Sequence, residues 1–345
     1  MVPALAVADT LRDSGHHVAF AGGDRAEAQL VPAAGYTLHP LRVQGLSRSN
    51  PLRAARGVAQ AVAAVGAARG IIRAERPDVV LGGGGYVAGP VGAAALAARL
   101  PLVLTEADSH LGLTNRLLAP RARRVCLAFP IAGRDGARYR VTGRPVPAFA
   151  GDPAGARAAG RARFGLAESD VCLLIFGGSI GARTLNEAAI TAFAPPVRPG
   201  LRVLHACGER DFAALQPRVP GEHYDLCAYI DGFGEALGAA DLVVARAGGS
   251  IFEIAAHGCP AILVPYPHAS ADHQTGNARW MVHAGAAVLV PDAELTAARL
   301  ADEVRTLLDD PARLAQMAAA SAGLARPDAA AEIAAEVVAA AGGSR

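Results

Sequence analysis

Short apolar runs that end in glycine-rich or polar turns alternate with helical segments along this chain, and few folds accept that alternation. Val79-Val80-Leu81 leads into Gly82-Gly83-Gly84-Gly85-Tyr86, Leu102-Val103-Leu104 into Thr105-Glu106-Ala107-Asp108, and the run 125–129 into Pro130. The rhythm breaks at Thr142-Gly143-Arg144-Pro145-Val146-Pro147, where a glycine and two prolines suit an interdomain hinge. It restarts at 171–176 and continues through strands expected at 202–206, 242–245, 261–264 and 287–290. A strand–helix–strand rhythm of this kind is that of a parallel sheet with helices on both faces. The predicted fold class is therefore α/β, with two doubly wound Rossmann-like domains, 1–146 and 147–327. The Ala-rich end, about 328–345, reads as a closing helix expected to pack back on the first domain. A length of 345 residues suits two domains, and 52% apolar content with only 5% aromatics suits parallel sheets under Ala-rich helices.

Charge and cysteine usage exclude several classes. The 33 basic residues are all Arg, and 31 acidic residues leave a net charge of +2, which argues against a general nucleic-acid binder. Cys126, Cys172, Cys207, Cys227 and Cys259 form no CxxC pair and sit in or beside apolar runs, as buried thiols would. No apolar run reaches the ~18 residues needed to span a bilayer, and no secretory signal pattern is visible.

Four segments carry the chemistry. Gly177-Gly178-Ser179-Ile180-Gly181-Ala182 joins an apolar strand to a helix. Free N–H groups at such a helix start favour phosphate, although the same turn serves without a ligand. The four glycines 82–85 lie where ligands of open α/β sheets bind, at the carboxyl end of a strand. In the stretch 246–260, a turn at Gly248-Gly249 precedes a short helix carrying Glu253. A carboxylate one turn into that helix can accept both ribose hydroxyls, with the diphosphate at the turn; an ordinary surface Glu is the alternative. Finally, His273, Gln274 and Asn277 share one helical turn, and amide side chains suit sugar hydroxyls because they both donate and accept. A metal site from His268, Asp272 and His273 is the rival reading, but the spacing matches no standard zinc pattern.

Taken in order, these segments resemble the MurG family. Gly84-Gly85-Tyr86-Val87-Ala88-Gly89-Pro90 is similar to its second glycine loop, and TEADSHLGLTN at 105–115 to its acceptor segment. Residues 177–182 resemble its GGSxGA loop, and 246–260 with 273–277 its nucleotide-sugar signature. The resemblance implies the GT-B arrangement, two doubly wound domains facing across a cleft. It further implies inverting transfer of N-acetylglucosamine from UDP-N-acetylglucosamine to an undecaprenyl-linked lipid acceptor. The enzyme would be peripheral, on the cytoplasmic face of an anionic membrane, with no cofactor, no metal and no nucleic acid. Carried over, Glu253 holds the ribose, the backbone near Ile230 meets the uracil, and Ser179, Gly248 and Gly249 lie at the diphosphate. His273 and Gln274 read the sugar, and Asn115 belongs to the substrate-binding set. Glu106 and Asp108 are the weak candidates for the catalytic base. Alternatives are another GT-B transferase or epimerase using a UDP-sugar, or a chain that binds UDP-sugar without turnover.

The chain also departs from the family. Asp108 stands where the family usually has Asn, and Pro147 where many members carry Arg. The turn from Arg246 to Glu253 is one residue short of several relatives. The pattern of residues 2–12 reads as a helix, whereas a doubly wound domain starts with a strand and loop. The family's first glycine loop, GGTxGH, and its histidine are not found. The expectation is a shortened reading of a longer frame, with reduced stability and turnover. A basic stretch containing Arg42, Arg48, Arg53, Arg56, Arg69, Arg73 and Arg76, interleaved with Leu46, Leu52, Val58, Val62, Ile71 and Ile72, is the candidate membrane surface; a solvated helix over an ordinary core is the alternative.

Overall fold

The computed structural model describes residues 1–345 apart from 42, 44–50, 148–152, 179–180, 196–197, 220, 270–271 and 344–345, with backbone only at 51–59, 61 and 153–154. The chain divides into two units, Met1–Val146 with Asp328–Arg345, and Pro147–Pro327.

The first unit opens on α1 (Val2–Asp13), which has Pro3 in its first turn, where a missing N–H costs nothing. It continues through β1 (Ala19–Gly22), α2 (Ala26–Ala33), β2 (Thr37–Pro40), α3 (Pro51–Glu75), β3 (Val80–Gly82) and α4 (Gly85–Ala97). β4 (Leu102–Glu106), α5 (Leu113–Leu118), β5 (Arg124–Leu127) and β6 (Tyr139–Val141) follow. Among the described residues these strands form two parallel sheets, β1-β2 and β3-β4-β5-β6. Among the described residues β1 and β3 each lie at the edge of their sheet.

The second unit is continuous. Its elements are α6 (Pro153–Arg163), β7 (Val171–Phe176), α7 (Arg183–Phe193), β8 (Leu201–Ala206), α8 (Glu209–Leu215), β9 (Tyr224–Cys227), α9 (Phe233–Ala239) and β10 (Leu242–Ala245). Next come α10 (Ile251–Ala256), β11 (Ala261–Leu263), α11 (His273–His283), β12 (Ala287–Leu289), α12 (Ala297–Leu308) and α13 (Pro311–Gly323). The strands form one six-stranded parallel sheet in the order β12-β11-β10-β7-β8-β9. The order reverses between β7 and β10, so this is a doubly wound sheet with its switch point there. Amphipathic helices cover it: Leu300, Val304, Leu307 and Leu308 of α12 are all buried, at helical spacing. Thr296 caps that helix by accepting from the Arg299 N–H at 3.1 Å.

The closing helix α14 (Ala329–Gly342) belongs to the first unit and packs along α1. Ile333 and Val337 of α14 join Val7 and Leu11 of α1 beneath Val103 and Cys126 of the four-stranded sheet. Glu336 of α14 is anchored to Arg124 and Arg140. Burial works against its charge, but the two guanidinium hydrogen bonds win and hold its carboxyl below the usual range.

Candidate functional site

Phe176 and Ala245 are paired across β7 and β10, so the turns that follow them leave the sheet side by side. The first turn, 177–182, is shaped by close contact. A Cβ on Gly181, which has φ +77°, would lie 2.2 Å from the Cys207 carbonyl oxygen, so only glycine fits. Gly178, at φ +86°, has open space where a side chain would be. The helix that follows, α7, has no side-chain cap and no acid in its first turn. Its orphan N–H donors and positive dipole end are left for an anion. Ser179 lies outside the described residues.

The second turn is fixed from both sides. Asn277 of α11 is buried and donates to the Ala247 carbonyl at 3.1 Å. Gln274 accepts from the Tyr266 N–H at 2.9 Å, and its amide nitrogen comes within 3.9 Å of where a Gly248 Cβ would be. Gly248 and Gly249 are half-buried, and Glu253 is half-buried in the first turn of α10, which follows them in the chain. The structure brings Gly248 and Gln274 together at this turn. His273 begins α11 beside Gln274, half-buried. Ile230 is buried at the carboxyl end of β9, two strands from the switch point. Among the described residues no three His, Cys, Asp or Glu side chains group as metal ligands.

Sequence reasoning missed two supports of this site. Arg246 is buried, donates to the carbonyls of Val264 and Pro265 at 3.1 Å, and pairs with Asp292 at 2.6 Å. It ties the second turn to the ends of neighbouring strands. The other support is a polar network under the first turn. Asn186 donates to the Cys207 carbonyl at 2.8 Å and to Asp211 at 3.0 Å. With both amide hydrogens used, its oxygen must accept from Nε2–H of His205 at 3.1 Å, leaving Nδ1 to accept the Tyr224 hydroxyl at 2.8 Å. Burial keeps His205 neutral, lowering its pKa to about 3, and pushes the Tyr224 phenol up. Asp211 is held below the usual carboxylate range, first by its hydrogen bond from Arg210. The available signals were a polar residue on the buried face of α7 and a histidine inside an apolar strand.

In the first unit, the 82–85 turn and the 105–115 segment also meet. Asn115 is buried, donates to the Thr105 carbonyl at 2.9 Å and to Glu106 at 2.9 Å, and lies 3.5 Å from where a Gly84 Cβ would be. The Glu106 carboxylate also accepts from the N–H groups of Gly112 at 2.8 Å and Asp108 at 3.3 Å. Glu106 thus holds the loop on which Asp108 sits half-buried.

Of the basic stretch, Arg42, Leu46 and Arg48, and the side chains of Leu52, Arg53, Arg56 and Val58, lie outside the described residues. Arg69, Arg73 and Arg76 are exposed, as is Val62, whereas Ile71 and Ile72 pack against the core around Leu41, Ala68 and Ala94. Ile71 and Ile72 therefore serve the core. The five cysteines are free, and burial pushes Cys126, Cys172 and Cys259 up to about 12, as befits inert thiols.

The profile of the glycosyltransferase family 28 N-terminal domain matches residues 1–127, and that of its C-terminal domain matches residues 172–333. The chain is 45% identical over 350 residues to a protein of Alkalilimnicola ehrlichii, covering 96% of this chain and 93% of that one. It is 43% identical to one of Acidithiobacillus ferrooxidans, covering 99% and 94%. Both are named UDP-N-acetylglucosamine--N-acetylmuramyl-(pentapeptide) pyrophosphoryl-undecaprenol N-acetylglucosamine transferase. The chain belongs to the MurG family. The crystal structure of Acinetobacter baumannii MurG superposes with a TM-score of 0.78 at 28% identity, covering 98% of this chain and 95% of that one. The calicheamicin glycosyltransferase CalG4, at a TM-score of 0.70 and 19% identity over 99% and 94% of the two chains, shares the fold. As in other MurG-family chains, the two units are Rossmann-like domains of the GT-B class.

Proposed function

We propose that this chain moves N-acetylglucosamine from UDP-N-acetylglucosamine to the C4 hydroxyl of undecaprenyl-pyrophosphoryl-N-acetylmuramoyl-pentapeptide, with inversion at C1. This converts lipid I to lipid II in peptidoglycan synthesis. The observation that carries the reading is the meeting of two glycine turns at the switch point of the second unit, both leading into helices without side-chain caps. Glu253 takes the ribose, Ile230 the uracil, and Ser179, Gly248 and Gly249 the diphosphate. His273 and Gln274 read the sugar. In the single displacement, the acceptor oxygen bonds to C1 as the C1–O bond to the diphosphate breaks. The hydroxyl proton goes to a base, and negative charge grows on the departing UDP. Fixed N–H donors and helix starts stabilise that charge without reorganising. Glu106 and Asp108 are the two carboxylates considered as base, and Glu106 accepts from three donors of its own loop. Asn115 holds the acceptor segment in shape.

Calorimetry on Glu253→Ala tests the donor site. Loss of a charge-assisted pair of hydrogen bonds should weaken UDP by roughly ten- to a hundredfold, about 1.5–3 kcal/mol. Unchanged UDP affinity with an intact fold would remove the assignment. A second reading, donor binding without turnover, is favoured by the divided sheet of the first unit; UDP binding without lipid II formation would establish it. We further place the enzyme peripherally on an anionic membrane, at its cytoplasmic face. The exposed Arg69, Arg73 and Arg76 support this, and among the described residues no helix is long and apolar enough to cross a bilayer.

A further inference from the structure

The polar network under the first glycine turn ends at the surface in two arginines. Asp211 of α8 is buried, and Arg210 grips it with both prongs, Nε to one carboxylate oxygen at 2.9 Å and Nη2 to the other at 3.0 Å. Asn186 donates to the same carboxylate at 3.0 Å. Arg183, the first residue of α7, brings its Nε to 3.9 Å from it. One carboxylate thus gathers guanidiniums from two helices, and it lies one side chain from the turn. Asn186 also donates to the Cys207 carbonyl, against which Gly181 packs. Asn186 and Arg210 already satisfy Asp211, so Arg183, beyond hydrogen-bond distance, is not needed to keep the carboxylate buried. Among the described residues neither arginine makes another ion pair or hydrogen bond. Their side chains are 74% and 48% exposed, and Glu209, the other acid in the first turn of α8, is exposed and pairs with neither. Both guanidiniums therefore keep free N–H donors beside the first turn.

We propose that Arg183 and Arg210 are catalytic residues that touch the diphosphate of the donor from the side of the first turn. With the donor held as proposed above, a reading on which this assignment rests, they add side-chain charge to the site. The N–H groups of the turn and the start of α7 offer fixed partial charges. Each guanidinium instead carries a full charge and two parallel donors that match phosphate oxygens. As the acceptor oxygen bonds to C1, the diphosphate oxygen leaves with the electron pair of the C1–O bond. The departing UDP thereby gains a negative charge that the sugar ester lacked. Guanidiniums stay protonated, so they stabilise that charge without passing it a proton. Asp211, itself held by Asn186, keeps both side chains in place before the charge appears.

The test is calorimetry on the full chain with uridine, UDP-N-acetylglucosamine and UDP. The parent is compared with Arg183→Gln, Arg210→Gln and the pair. Arg183→Gln leaves Asp211 its hydrogen-bond partners and changes an exposed side chain, so it should melt with the parent. Each single variant should weaken UDP by about tenfold, and the pair by more. UDP-N-acetylglucosamine should lose less than UDP, because its diphosphate carries less charge, and uridine should lose nothing. The UDP affinity of the pair should also fall less steeply with salt than that of the parent. If the parent binds UDP and the variants bind it equally well, the arginines are not part of the site. Equal weakening of uridine and UDP would reduce them to supports of the fold, and equal weakening of the two nucleotides would deny them the leaving charge. A parent that binds neither uridine nor UDP would instead remove the donor-site reading itself.

Discussion

The two units handle their central strands differently. In the second unit β7 and β10 lie side by side at the switch point, and all of β10 and nearly all of β7 are buried. In the first unit β1 and β3 end separate sheets, and most of their residues are only half-buried. A strand with a free edge keeps unpaired N–H and C=O groups and has less apolar cover. Among the described residues the second unit is thus built on one continuous sheet, while the first carries its weakness at the edges of its two separate sheets.

Core truncations should sharpen this contrast most. Leu173 of β7 is fully buried in the main core of the second unit, so Leu173→Ala should cost about 2–5 kcal/mol. Leu81 of β3 is half-buried, and Leu81→Ala should cost clearly less. Urea midpoints of the two variants, read by a probe in each unit, check the order; equal losses would break the comparison.

Hydrogen exchange reads the same difference without mutation. Amides of β1 and β3 should open locally, whereas those of β7 and β10 should exchange only by larger unfolding. We expect roughly a hundredfold spread in protection, about 2.7 kcal/mol. Equal protection would show that the division of the first sheet has no energetic consequence.

Much of this was legible in the sequence because glycine turns and apolar runs are local signals. The runs before Gly177 and Arg246 became neighbouring strands, and Gln274 and Asn277 came to the second turn from one helical turn. The strands β2, β6 and β9 were not foreseen: they are three or four residues long, with exposed or half-buried positions, so no apolar run marks them. The Arg246–Asp292 pair joins residues far apart in sequence, and nothing local announces such a pair. Glu106 was read as a weak catalytic candidate, and its hydrogen bonds from Gly112 and Asn115, which tie it to its own loop, were not legible in the sequence.

Titration should separate the units further, because the buried neutral histidine lies in the second. His205 has its folded pKa lowered to about 3 from 6.5, so the unfolded chain takes up the proton first as pH falls. Stability from this group is complete above pH 6.5 and is lost progressively below it, by about 2 kcal/mol near pH 5. His205→Gln should flatten that dependence in the second unit alone. An unchanged slope would mean that His205 is not the group responsible.

Both units place a buried asparagine behind a glycine turn, and this likeness allows the finest test. Asn115 and Asn186 each donate to a strand-end carbonyl and a carboxylate. They differ at the amide oxygen: that of Asn186 accepts from His205, whereas that of Asn115 is buried without a partner among the described residues. Asn186 holds the Cys207 carbonyl against Gly181, and Asp211 gathers Arg210, with Arg183 at 3.9 Å, beside the same turn. Asn186 therefore positions the 177–182 turn, which we propose takes the diphosphate. If the turn takes the diphosphate as proposed, Asn186→Ala should weaken UDP by about tenfold, about 1.4 kcal/mol, and leave uridine, which lacks the phosphates, unchanged. Asn115→Ala should leave both affinities alone. Parallel calorimetry with UDP and uridine decides the matter: equal weakening of the two ligands would reduce Asn186 to general support of the fold, and a UDP defect in Asn115→Ala would mean that the donor site draws on the first unit as well.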